Sequence, residues 1–215
     1  MKTCTHRRHG LSVLEVLLVI ATITLLAGLI LPKMARGRVR TSRIGCTSQL
    51  KQIGLSYRMF SNDHGDQFPY AVSNEFGGTL QFENSPQVFR HYEAMSNELV
   101  TPKILICNSD TNRIRASNFL TPLSNSNISY FIGLGAQEDK PQRILSGDRN
   151  VTGGVLSNGF MRVLPSNSVA GWTSAIHSNA GNIGLADGSV QQMRAPGLQR
   201  QLQTQDLPVV RLAIP

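Results

Sequence analysis

The sequence predicts an α+β protein: one long N-terminal helix, the first half membrane-spanning, packed by its second half on an antiparallel β-sheet domain. Three observations carry this. From Leu11 to Leu31 the only charged residue is Glu15, and an apolar run of that length makes a helix of about 30 Å, the thickness of a bilayer core. After Pro32, the residues Val39, Cys46, Leu50, Ile53, Tyr57 and Phe60 recur at sevens, fours and threes, one apolar face of a continuing helix. The remaining chain breaks into short apolar runs between Gly-, Asn- and Ser-rich stretches, the pattern of strands and turns. The organisation read from this is a leader over 1–10, a helix over 11–61 with 11–31 as its membrane part, and a globular domain over 62–215.

Charge and composition narrow the classes. The 215 residues carry a formal net charge of +8. That charge flanks the apolar run: Lys2, Arg7 and Arg8 precede it, and Lys33, Arg36, Arg38, Arg40 and Arg43 follow it. Basic residues so placed meet headgroups or solvate a helix face, and no nucleic-acid surface is expected. Losing the leader would remove Lys2, Arg7 and Arg8 and lower the net charge to +5. The positive-inside count alone would place the large domain in the cytoplasm; the order of the N-terminal signal carries more weight.

That signal is MKTCTHRRHG, short, basic and ending in Gly10, followed by Leu-Ser-Val-Leu-Glu and then the apolar run. An ordinary secretory signal has its small-residue cleavage site after the apolar region; here the small residue comes first. A carboxylate inside a membrane helix costs about 2.5–3.5 kcal/mol and calls for a partner. Cleavage between Gly10 and Leu11 would create one, the Leu11 α-amino group, against the alternative that Glu15 snorkels to the interface. The arrangement resembles the prepilin cleavage-methylation signal, with Leu11 where Phe is usual. The resemblance implies processing and N-methylation by a prepilin peptidase, an assembly role for Glu15 through a neighbouring subunit's amine, and a helix kink at Pro32.

Along the globular domain, Asn62-Asp63-His64-Gly65-Asp66 before Pro69 reads as a helix stop with Gly65 in a left-handed cap. Val88, Phe89, Tyr92, Met95 and Leu99 predict a second short helix begun near Pro86. Ile104–Cys107 predicts a buried strand, and the alternation of Ile128, Tyr130, Ile132 and Leu134 predicts another. Ile183–Ala186, Asp187-Gly188 and Ser189-Val190 predict a hairpin with a tight Asp-Gly turn. Cys4 leaves with the leader, so Cys46 and Cys107 remain, either as one disulfide in an oxidising compartment or as two small buried thiols.

His177, nine residues and then Asp187-Gly188 match the H-X9-DG pattern of a class of prepilin-like proteins. The segments CTSQLKQIGLSYRMF, SYFIGLGAQ, LSGDRN and GNIGLADGSVQ are similar to type II secretion pseudopilins of the Planctomycetes and Verrucomicrobia type. The resemblance implies a pilin-like fold and a structural subunit of a type II secretion system, a pseudopilus that drives protein export. It implies further pseudopilin subunits, an inner-membrane secretion platform and membrane lipid as partners, with the domain in the periplasm. Major pseudopilins hold Ca2+ in a C-terminal loop, and the oxygen set that would serve here is Asp148, Asn182 and Asp187. The residues alone support only a turn at Asp187, with no ion.

Enzyme motifs are absent: HExxH, Walker A and G-x-S-x-G do not occur. Ser48-Gln49-Leu50-Lys51 matches S-x-x-K without its companion motifs. Two other readings stand beside the secretion pseudopilin: a type IV pilin for adhesion or motility, and a membrane-tethered binding or enzymatic domain using His177, Asp148 and Asp187.

Overall fold

The structure, a computed structural model, describes residues 12–215, with the backbone alone for residues 30–41. Gly10 and Leu11 lie outside the described residues, and so does the side chain of Pro32. Helix α1 runs from Val13 to Asp63. A Ser-x-x-Glu capping box opens it: the Glu15 carboxylate accepts from the Ser12 N–H at 2.8 Å, and the Glu15 N–H donates to Ser12 Oγ at 3.3 Å. Gly65 and Asp66, both at positive φ, end the helical path after Asp63.

The chain divides into two compact units, Met1–Thr41 and Ser42–Pro215. The division falls inside α1, and Cys46, Leu50, Ile53, Tyr57 and Phe60 of that helix are core residues of the second unit. In the first unit, the described apolar side chains from Val13 to Leu29 are exposed. Among the described residues no helix is long and apolar enough to cross a membrane. This corrects the membrane-spanning first half and, with it, the single-pass inner-membrane location. The described segment opens on the polar Ser12 of the capping box. It also holds Glu15 and two threonines, whose hydroxyls donate to the Val19, Ile20 and Ala21 carbonyls.

The second unit is α+β with an antiparallel sheet. Its strands are β1 Tyr130–Gly133, β2 Ile144–Asp148, β3 Val151–Thr152, β4 Val155–Ser157, β5 Met161–Pro165, β6 Gly171–Trp172, β7 Ala180–Leu185, β8 Val190–Arg194 and β9 Val209–Ala213. Seven form one sheet in the order β4-β5-β9-β1-β2-β7-β8, while β3 and β6 pair separately. Alternation along the strands separates two cores. Tyr130, Ile132, Met161 and Ala213 join the α1 residues with Tyr92, Met95 and Leu105. Phe131, Leu164, Ile183, Val210 and Leu212 join Leu198 and Leu202 of helix α4, Ala195–Thr204. The sheet thus lies between α1 and α4.

Two local expectations are corrected. The helix predicted over Val88–Leu99 is two short ones, α2 Phe89–Glu93 and α3 Ser96–Leu99, because Met95 leaves helical geometry at φ −98°, ψ 23°. The strand predicted over Ile104–Cys107 is a 3-10 turn, Pro102–Leu105, begun by Pro102 and capped by Thr101.

Candidate functional site: a buried Cys-Cys-His-Asp cluster beneath helix α1

The sequence brings together, from four distant places, Cys46 on α1, Cys107 after the Pro102–Leu105 turn, Asp148 at the end of β2 and His177 in the loop before β7. Cys46 and Cys107 are bonded as a disulfide, with Cα atoms 5.1 Å apart and a sequence separation of 61. Closing a loop of that length contributes about 4 kcal/mol in the chain-entropy account. Cys107 Sγ lies 3.3 Å from His177 Nε2. The same nitrogen lies 3.6 Å from Asp148 Oδ2, both side chains being fully shielded from solvent.

Each member is held by named neighbours. The Ser129 N–H donates to the Leu105 carbonyl and the Asp110 N–H to that of Cys107. Arg149 then grips Asp110 with two bonds, 2.7 and 2.8 Å. Burial pushes the Asp110 carboxyl up, but the Arg149 guanidinium outweighs it and the net shift is down. Asp148 Oδ2 accepts from the Asn182 backbone N–H at 2.7 Å and from its side-chain amide at 2.9 Å. Thr47 of α1 donates to Asn182 Oδ1.

The His177 loop is unusual. His177, Ser178 and Asn179 all have positive φ, 58°, 54° and 60°. Successive non-glycine residues in the left-handed region store strain, of order 1–3 kcal/mol each. What holds the loop is Asn150, whose side-chain amide donates to the carbonyls of Thr173, Ile176 and Ala180. Arg43 of α1 donates to the His177 carbonyl at 3.0 Å. Sequence reasoning missed Asn150 and Arg43; the Asn two residues after Asp148 carried no local signal, because its partners are 23 to 30 residues away.

Electrostatically the cluster is a neutral-leaning pair. Burial raises the Asp148 carboxyl to about 7. Burial, then the Arg43 charge, lowers the His177 imidazole to about 4. The 3.6 Å contact is therefore a neutral imidazole beside a carboxyl near its midpoint, and not an ion pair. His177 Nδ1 and Asp148 Oδ1 are buried and have no hydrogen-bond partner among the described residues.

The two ends of the H-X9-DG motif have different surroundings. His177 joins the cluster, whereas Asp187 is exposed at the β7–β8 turn. There the Gly188 N–H closes on the Leu185 carbonyl, Gly188 is at φ 82°, and the Asp187 carboxylate accepts from the Ser189 N–H at 2.8 Å. The turn thus includes Ala186 and is a residue longer than the two-residue form expected. Both ends nevertheless meet α1. Arg43 reaches the His177 carbonyl and Arg58 the Asp187 carbonyl, two points about 22 Å apart along the helix. A Cβ on Gly54 would lie 3.5 Å from Gly188 Cα, so helix and turn approach backbone to backbone. The motif is a clamp along the helix.

The oxygen set expected for Ca2+ is corrected by this geometry. Asp148 and Asn182 are together, but Asp187 lies five strand residues beyond Asn182, about 16 Å away, and its carboxylate is engaged by Ser189. These three residues do not share one ion. The cluster that does have metal-ligand spacing among the described residues is Cys46, Cys107 and His177, whose ligand atoms lie within 4.8 Å of one another. No family model, curated protein or solved structure matches the chain.

Proposed function

We propose that the chain is a non-catalytic subunit of a pilus-like filament, a pseudopilin of a type II secretion system whose assembly drives protein export. The observation that supports this reading best is the contrast within α1. Residues from Cys46 to Phe60 are buried core, whereas Leu14, Leu17 and Leu25 are 73%, 63% and 67% exposed. An exposed apolar helix face of this extent marks an interaction surface. The natural cover is the same segment of further copies, packed helix on helix. A prepilin peptidase, other pseudopilin subunits and a secretion platform are the partners of such a subunit. The cluster beneath α1 has no solvent access, which favours a structural role for it over turnover of a substrate.

Glu15 is the residue on which the assembly reading turns. Its carboxylate caps its own helix, and in a filament it would also meet the cationic amine of a neighbour. Glu15→Gln separates the two roles, since Gln at this position also completes a capping box but carries no charge. The expected result is a chain that is processed to start at Leu11, read by mass spectrometry, with filaments lost in Glu15→Gln under electron microscopy. Wild-type filament yield from Glu15→Gln would remove the charge pairing, and a mature chain starting elsewhere would remove the prepilin reading.

A further inference from the structure

We propose that the reduced chain binds Zn2+ through Cys46 Sγ, Cys107 Sγ, His177 Nε2 and Asp148 Oδ2, and that this metal site and the Cys46–Cys107 disulfide are alternative states of the same residues. The geometry is close to that of a closed tetrahedral site. With Zn–S near 2.3 Å and Zn–N and Zn–O near 2.0–2.2 Å, neighbouring ligand atoms lie about 3.3–3.8 Å apart. The contacts from His177 Nε2 to Cys107 Sγ, 3.3 Å, and to Asp148 Oδ2, 3.6 Å, fall in or near that range already. The two sulfurs must separate, to about 3.8 Å, which their Cα atoms, 5.1 Å apart, allow by side-chain rotation, and the Asp148 carboxylate, which lies outside the 4.8 Å group of Cys46, Cys107 and His177, must move in to close the site.

The chemistry of the donors agrees. Two thiolates and an imidazole are the preferred zinc ligands. The Asp148 oxygen that would bind the ion is already oriented by two Asn182 N–H donors, the outer support that ligating carboxylates require. Two thiolates and one carboxylate give the loaded site one net negative charge, and Arg43, bonded to the His177 carbonyl, supplies the opposite charge nearby.

The interconversion balances. A dithiol reductant transfers two electrons and two protons to the Cys46–Cys107 bond and becomes a disulfide itself. Two thiols result, and Zn2+ binding then releases their two protons. In reverse, a small-molecule disulfide takes two electrons from the dithiolate by thiol–disulfide exchange and leaves as two thiols, and the ion is expelled, since a disulfide sulfur carries no charge to hold it.

The test uses the full chain in two forms, oxidised and reduced with a water-soluble phosphine, titrated with Co2+ as the spectroscopic probe and then with Zn2+. The reduced chain should take up one Co2+ with a thiolate-to-cobalt charge-transfer band and intense tetrahedral d–d bands, which Zn2+ abolishes, and the oxidised chain should show neither. His177→Ala in the reduced form should weaken Co2+ at least ~10-fold. Cys46→Ser, which cannot form the disulfide at all, should keep one thiolate and about half the charge-transfer intensity. A reduced, folded chain without tetrahedral bands overturns the proposal, as does equal binding by the oxidised chain or by His177→Ala. A reduced chain that unfolds and that Zn2+ fails to refold overturns it as well.

Discussion

Gly188 and Asp187 form one turn, yet they should respond differently to substitution. Gly188 is held at φ 82°, where a β-branched residue is a steric outlier, so Gly188→Val should lower stability by roughly 1–3 kcal/mol. Asp187→Ala loses only one exposed bond to the Ser189 N–H and should cost about 1 kcal/mol or less. Urea unfolding of both variants measures the order; the reverse order would refute the turn account. A second residue carries a pH dependence. His91 is buried, one ring nitrogen against Thr79 Oγ1 at 2.6 Å, and burial lowers it to about 4. Unfolded, it would titrate near 6.5. Between these values the unfolded chain binds a proton that the folded chain does not. Its stabilisation is therefore complete above about pH 6.5 and is lost as pH falls towards 4, with a slope of up to ~1.4 kcal/mol per pH unit. His177 adds to this loss and Asp148, shifted the other way, offsets it. Subtracting the unfolding free energies of His91→Gln from those of the wild type, pH by pH, isolates the His91 part. A flat difference between pH 4 and 6.5 would show that His91 titrates alike in both states.

The elements show what a sequence exposes and what it hides. The helical face from Cys46 to Phe60 was legible because one side of α1 is buried and the other is not, so the period survives in the residues. The strand at Tyr130–Gly133 was read from the alternation of Ile128, Tyr130, Ile132 and Leu134, although it is buried on both faces. Strand β2, ILSGD, is also wholly buried, but no strand was expected there, because its Ser, Gly and Asp break the apolar pattern and their partners, Asn182 above all, are far away in sequence. Helix α4 carried its signals, Pro196 in the first turn and Leu198 and Leu202 four apart, beneath a polar, Gln-rich composition. The Ser12–Glu15 capping box matches the S-x-x-E pattern, but Glu15 was read only for assembly or for snorkelling to an interface. Of the buried cluster, Cys46 and Cys107 were read as a possible disulfide and Asp148 as a possible ion ligand, while His177 stood out through its spacing to Asp187-Gly188. Its meeting with Cys107, 70 residues earlier, and with Asp148 is a product of topology. If α4 covers the second core as described, Leu202→Ala, at a fully buried position, should lower stability by about 2–5 kcal/mol. A loss below ~1 kcal/mol in urea unfolding would show that α4 is not part of that core.

At the scale of the whole molecule, the two units place opposite demands on their surroundings. The unit from Ser42 to Pro215 buries its apolar side chains in two cores and closes its long-range contacts with a disulfide. The described helix from Val13 to Leu29 buries none of its large apolar side chains, and such a surface in water is satisfied only by association. Leu14, Leu18 and Leu25 share one face of it, being four and seven residues apart. Replacing all three by Gln should leave the unit from Ser42 onward unchanged, because none of them belongs to either core. Its urea midpoint should stay within error of the wild type. Assembly should be lost: filaments absent by electron microscopy and the chain shifted from the pelleting to the non-pelleting fraction on sedimentation. Helix propensity does not confuse the comparison, since Leu and Gln are near-equal helix formers. Filaments that persist in the triple variant would mean that subunits associate through the folded unit, and the apolar helix face would then need a different occupant. A shifted urea midpoint would mean instead that the face packs on the folded unit.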